Sequence, residues 1–303
     1  MALCHWEKFF LFICNLLLPF PGKTHKEDAQ ARRSPSCLGL RAKIPRSPSP
    51  TLEAIMVAST DLPFQVRPET WNCGRILSAH EHVLLPVSPF NSKFSVSYIE
   101  KLIYWAKDSF KRFDFIMPNE QAAVLLEATG NSPGVAAKKT RHELARNFRS
   151  IQQAMVNTGT SEQEARIYRF SDFGNNKLYM SIKNLAKHVF DANEKFRNSC
   201  LDMSRQAIYS RLKLIKGRKV SLSAKQLSIA VQYIFSEIPF FINSADLFGV
   251  TSSVLAYHRR WPVGEVLFGN ITQLKVSYKQ GFIQLLEKSK NEEIHNLTEC
   301  ILL

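Results

Sequence analysis

The sequence predicts an α/β fold, a parallel sheet flanked by helices, on three observations. Short apolar runs alternate with helical patterns from residue 82 onward. The first run, His82 to Val87, closes on a Ser-Pro-x-Asn turn ahead of a helical pattern. The chain, 303 residues long and 45% hydrophobic, is also large enough to bury one sizeable core.

The elements follow in order. Residues 82–87 (HVLLPV) read as a short buried strand, because the run is apolar throughout and bounded by turn residues. Pro89 and Asn91 turn the chain, and a helix is predicted over about residues 96–112, followed by a strand at 113–117 (FDFIM). Residues 120–129 are helical until the Gly130-Asn-Ser-Pro-Gly134 break, after which a long helix runs over 135–157. A strand is expected around 165–170, helical patterns fill 177–216, and 223–243 forms another helix. Residues 253–258 and 281–285 are the later strands, and no internal repeat is visible.

The net charge of +14 favours an anionic partner, and a polyanion suits it better than a small acidic metabolite. Six cysteines carry no C-x-x-C spacing, so reduced thiols are expected rather than a disulfide framework or zinc site. His80-Glu-His82 resembles a metal pair but lacks a third placed ligand. The chain has no P-loop, no G-x-G-x-x-G and no G-x-S-x-G elbow, and Asp202-Met-Ser-Arg205 only faintly echoes a nucleotide-site loop.

Residues 1–55 differ in composition. An apolar run over 9–20 is too short for a membrane span and has a poor signal-peptide n-region, and a Lys/Arg/Ser/Pro-rich linker follows. The expectation is a disordered extension outside a domain of residues 56–303, or a true start at Met56. The sequons at Asn270 and Asn296 matter only in a secreted chain. Cys300-Ile-Leu-Leu303 fits the C-a-a-X pattern for prenylation, although an ordinary apolar tail is the favoured reading.

Three motifs carry chemistry. Ser88, in Ser88-Pro-Phe-Asn91-Ser92, places a hydroxyl at the carboxyl end of a strand, where open α/β sheets bind ligands. Alone it would read as a turn-capping serine. Tyr233 and Glu237, in Tyr233-x-x-x-Glu237-x-Pro239, share one face of a helix whose neighbours Ile234, Ile238, Phe240 and Phe241 argue for burial. Tyr257-His258 adds a phenol and an imidazole. A fourth feature is a basic stripe of Lys138, Lys139, Arg141, Arg146 and Arg149 against one acid, Glu143. Helical spacing gathers Lys138, Arg141, His142, Arg146 and Arg149 on one side, opposite an apolar stripe of Leu144, Phe148, Ile151 and Met155. Such a run is usually a solvated face, but its shortage of acids favours phosphate binding. Arg205, Arg211, Lys213, Lys216, Arg218 and Lys219 form a weaker cluster.

In order and spacing these motifs resemble the signature of the cyclodipeptide synthases, over roughly residues 60–290. Asn91, Tyr257 and His258 match the subgroup that carries Asn, Tyr and His at those positions. The resemblance implies a Rossmann-like core similar to the catalytic domain of class I aminoacyl-tRNA synthetases. It implies two aminoacyl-tRNAs as substrates, a cyclic dipeptide (diketopiperazine) as product and ping-pong transfer through an aminoacyl ester on Ser88. It further implies that Tyr233 and Glu237 hold the substrate α-amino group, that Tyr257 relays protons, and that Asn91 and His258 support the geometry. The basic helix would grip the first tRNA, and Leu84, Pro86, Phe240 and Leu255 would line an apolar pocket for a hydrophobic or aromatic first residue. No ATP and no metal are called for, because the amino acids arrive activated. A cytoplasmic monomer is expected. The alternative from a different class is a catalytically idle tRNA-binding protein of the same fold, and the full set of Ser88, Tyr233, Glu237 and Tyr257 argues against it.

Overall fold

The computed structural model describes residues 62–209, 211, 221–269 and 273–288. They contain a six-stranded sheet of β1 (Phe64–Pro68), β2 (His82–Pro86), β3 (Arg112–Met117), β4 (Ile167–Arg169), β5 (Ser253–Tyr257) and β6 (Gln280–Glu287), in the order β1-β6-β5-β2-β3-β4. All neighbouring pairs are parallel except β1 with β6. The central strands are apolar and buried nearly end to end, as strands covered on both faces must be. This is the predicted α/β class. From β2 the chain builds outward through β3 and β4, then returns to place β5 and β6 on the other side. The β2–β5 boundary is therefore the topological switch point, and a crevice opens at the carboxyl ends of its strands.

Eight α-helices accompany the sheet among the described residues: α1 (Trp71–Leu77), α2 (Val96–Ser109), α3 (Ala123–Glu127), α4 (Pro133–Asn157), α5 (Lys177–Ala192), α6 (Glu194–Tyr209), α7 (Ala224–Phe248) and α8 (Pro262–Phe268). Their starts are chemically marked. The Ser95 hydroxyl accepts the Tyr98 N–H, the Asn176 side-chain oxygen accepts that of Tyr179, and Ser223 with Gln226 forms a capping box. Pro133 opens α4, where its missing N–H costs nothing. α7 carries Pro239 inside it and leaves helical geometry at Asn243, whose side-chain oxygen Oδ1 then accepts the Asp246 N–H at 3.2 Å and restarts the last turn. Gly249, at φ 64°, ends the helix in the left-handed region.

Several expectations need correction. β1, α1 and α8 were not predicted, and β4 has only three residues. The segment 120–129 opens as a 3₁₀ turn before α3. The stretch beginning at residue 177 is two helices, parted at Asn193, whose side chain accepts the Phe196 N–H. α7 continues five residues beyond its expected end at 243, through the kink. The extension over 1–55, both sequons and Cys300 lie outside the described residues, as does the last part of the 177–216 stretch. No helix among the described residues is long and apolar enough to cross a membrane.

Candidate active site

The parallel pairing of β2 with β5 aligns Val83 with Val254 and Leu84 with Leu255. Continued to the carboxyl edge, that register sets Pro86, the last residue of β2, level with Tyr257, the last of β5, and Ser88 follows two residues on in the turn. Ser88 Oγ lies 2.7 Å from Tyr257 Oη, a contact between residues 169 apart in sequence. Burial, only partly offset by the Ser88 hydrogen bond, pushes the Tyr257 phenol up to about 12. It therefore stays protonated at neutral pH and can pass a proton only as it receives one.

Across a cleft of about 260 Å³, α7 presents Tyr233 and Glu237 one turn apart. Both are buried. Burial raises the Glu237 carboxyl to about 8, against the lowering effects of a hydrogen bond donated by Tyr233 and the Arg211 guanidinium. Burial, reinforced by the neighbouring Glu237, holds the Tyr233 phenol well above its ordinary value. The cleft thus contains a carboxyl whose surroundings favour its neutral form.

Asn91 and His258 frame the same edge. The Lys93 N–H donates to Asn91 Oδ1 at 3.1 Å, which aims the amide nitrogen at His258 Nε2, 3.4 Å away, and at the Tyr257 hydroxyl. Burial, then the charges of Arg259 and Lys93, lower His258 to about 4, so it is neutral under physiological conditions. A neutral ring facing an amide donor is a spacer rather than an acid.

The four expected pocket residues are placed elsewhere. Leu84 and Leu255 are paired in the sheet and buried, and Phe240 stacks among Phe170, Phe173 and Tyr179. Pro86 ends β2, and none of the four lines the cleft, whose apolar wall includes Met203, Ala207, Ile234 and Trp261. Arg211, grouped from sequence with a surface cluster, turns inward: its guanidinium donates to the Pro89 carbonyl at 3.1 Å and lies 5.4 Å from the Phe90 ring. Only the long-range fold could reveal that.

On α4 a surface groove is lined by Lys138, Lys139, His142, Arg146 and Arg149, with Val135 and Glu143. Arg141 does not join it and instead meets Glu120 at 3.7 Å. The buried positions of α4 are Ala136, Thr140, Asn147, Ile151, Ala154 and Met155, so Leu144 and Phe148 are only half-buried at the margin of the expected stripe. In the second cluster Arg205 pairs with Asp202, and Lys213, Lys216, Arg218 and Lys219 lie outside the described residues.

Two decoys resolve. His82 points into the core, with Nδ1 2.8 Å from Ser253 Oγ and Nε2 3.2 Å from Asp114 Oδ2. That Ser-His-Asp order imitates a hydrolase triad, but all three residues are at most 1% exposed and sit at or near the amino edge of their strands. No substrate reaches them. Among the described residues no three His, Cys, Asp or Glu side chains gather as a metal site.

Fold and site together define a Rossmann-like α/β enzyme with a hydroxyl–phenol pair at its switch point. The family described as cyclodipeptide synthase matches residues 64–287. A cyclo(L-leucyl-L-leucyl) synthase of Bacillus subtilis is 38% identical over 221 residues, 73% of this chain and 88% of that protein. The crystal structure of a cyclodipeptide synthase from Bacillus thermoamylovorans superposes with a TM-score of 0.70 at 39% identity, covering 78% of this chain and 100% of the other. A Mycobacterium tuberculosis structure, reported to relate cyclodipeptide synthetases to type I tRNA synthetases, superposes at 0.67 with 26% identity, over 75% of this chain and 94% of its own. The chain belongs to the cyclodipeptide synthases, enzymes that form cyclic dipeptides.

Proposed function

We propose that this protein joins two aminoacyl groups, each delivered by an aminoacyl-tRNA, through an aminoacyl ester on Ser88. The observation that carries the reading is the 2.7 Å contact of Ser88 Oγ with Tyr257 Oη, facing a buried Glu237. Ser88 attacks the carbonyl of the first aminoacyl ester, and the tRNA leaves as its ribose oxygen takes up a proton. Tyr257 receives the Ser88 proton while releasing its own toward that oxygen, so no free phenolate forms. One ester replaces another, so the step is nearly isoenergetic and asks of the site mainly position. The amine of the second aminoacyl-tRNA then attacks the Ser88 ester and frees the serine hydroxyl. The new dipeptide's own amine attacks its ester to tRNA, closing the ring and releasing the second tRNA.

Glu237, with Tyr233, receives the α-amino group. Its pKa of about 8 lies beside the ~7.7–8.0 of an α-amine, so a proton moves between them at little cost. The apolar wall of Met203, Ala207 and Ile234 suits a hydrophobic first residue, as does the leucyl product named for the Bacillus subtilis relative. The groove on α4 offers its cations to tRNA phosphates. The reading calls for neither ATP nor a metal, and it places the enzyme in the cytoplasm, where charged tRNA is found.

The test is expression of the full chain in bacteria, with mass spectrometry of the medium beside a Ser88→Ala control. New diketopiperazine masses that vanish in the variant are expected, and they name the amino acids. Masses that persist in the variant overturn the Ser88 ester.

A further inference from the structure

Glu143 is the acid in the basic stretch of α4, where phosphate binding gives it no reason to stand. Its contacts supply one. Glu143 Oε1 accepts the backbone N–H of Phe90 at 2.9 Å. One helical turn on, Asn147 Nδ2 faces the Ser88 carbonyl oxygen at 3.4 Å, from a side chain only 1% exposed. Between these two points Arg211 donates to the Pro89 carbonyl. Three consecutive residues of the turn are thus each held at the backbone by a side chain from another part of the chain. The hold is needed, because Phe90 has φ 59°, a left-handed conformation costly for any residue with a Cβ.

We infer that Glu143, supported by Asn147, is a positioning residue for the nucleophile. Its carboxylate pins the strained Phe90 amide and so fixes where Ser88 Oγ stands relative to Tyr257. The inference rests on the reading of Ser88 as nucleophile. It also makes α4 serve two tasks, gripping tRNA with one set of side chains and setting the reactive turn with another. Glu143 further contacts Arg146, so its charge is partly spent within the helix rather than against an incoming phosphate.

The test compares Glu143→Gln with Glu143→Met. Both delete the charge, are near Glu in size and favour helix, but only Gln keeps an acceptor for the Phe90 N–H. A bulk bacterial tRNA pool charged with radiolabelled amino acids reports single-turnover labelling of the protein, and deacylated bulk tRNA reports binding. The Met variant should label about 10- to 100-fold more slowly than the Gln variant at saturating tRNA, with half-saturation unchanged and equal affinity for deacylated tRNA. Hydrogen–deuterium exchange of the peptide spanning residues 88–92 should be faster in the Met variant. Melting curves are recorded beside both, and Glu143→Ala repeats the comparison if Met does not fold. Equal labelling rates, or equal exchange, overturn the inference. Label retained by Ser88→Ala instead overturns the nucleophile, whatever position 143 does.

Discussion

At position 237 a carboxyl sits in a site where burial outweighs both the hydrogen bond from Tyr233 and the Arg211 charge, leaving it at about 8. The sign of its effect on stability follows. Between about 4.5 and 8 the folded protein keeps a proton that the unfolded chain has lost, so stability falls as pH rises through that window and levels off above it. Glu237→Gln removes the titrating group, and its melting temperature should decline less than that of the parent between pH 5 and about 8. Parallel melting curves across that range would count against the buried neutral carboxyl. On the proposed function the same energetics serve binding, because an amine beside Glu237 would supply the counter-charge that burial denies it.

At the scale of elements, α4 shows what the sequence could and could not reveal. Its length and its basic face were legible because they are local, written in periodicity and composition, whereas Pro133, which opens it, reads as part of the break before it. The direction of Arg141 was not, since Glu120, 21 residues earlier, decides it from across a turn. Ser88, Glu237 and Tyr257 were legible as motifs, yet the contact of Ser88 with Tyr257 depends on the pairing of β2 with β5, and Glu237 reaches the same cleft from α7. The missed elements share a cause. β1 finds its partner in β6, about 220 residues away, while α1 and α8 are short and each carries an internal glycine, so local signals are weak. The groove itself gives a prediction. Lys138→Ala, Lys139→Ala and Arg149→Ala together should reduce the slope of log affinity for tRNA against log salt by about 2 to 3, leaving the Glu143–Arg146 pair intact. Arg141→Ala, already paired with Glu120, should change it far less. A slope unchanged by the triple variant would move the tRNA to another face.

Across the whole molecule, the strands that carry the candidate site at one edge hold the fold together at the other. Near the amino edge Asp114 Oδ1 accepts the Arg166 N–H at 2.9 Å, while Oδ2 meets Arg112 at 2.7 Å and His82 Nε2 at 3.2 Å. His82 in turn accepts from Ser253 at its Nδ1, so one buried network ties β2 and β3 to β5. Burial depresses His82 below its ordinary pKa, and the ring serves as a neutral donor to the carboxylate rather than as a cation. Removing that carboxylate leaves a backbone N–H, an imidazole N–H and a guanidinium without their acceptor, at a cost of about 3 kcal/mol. Asp114→Ala should therefore lower the melting temperature by on the order of 10 °C for a domain of this size. Well below the new transition the Ser88–Tyr257 pair, at the opposite edge, remains in place, and Ser88 labelling per folded molecule should match the parent. Calorimetry read beside single-turnover labelling at 15 and about 25 °C checks both halves. A loss of labelling without a loss of stability would mean that the amino-edge network sets the geometry of the reaction as well as the stability of the sheet.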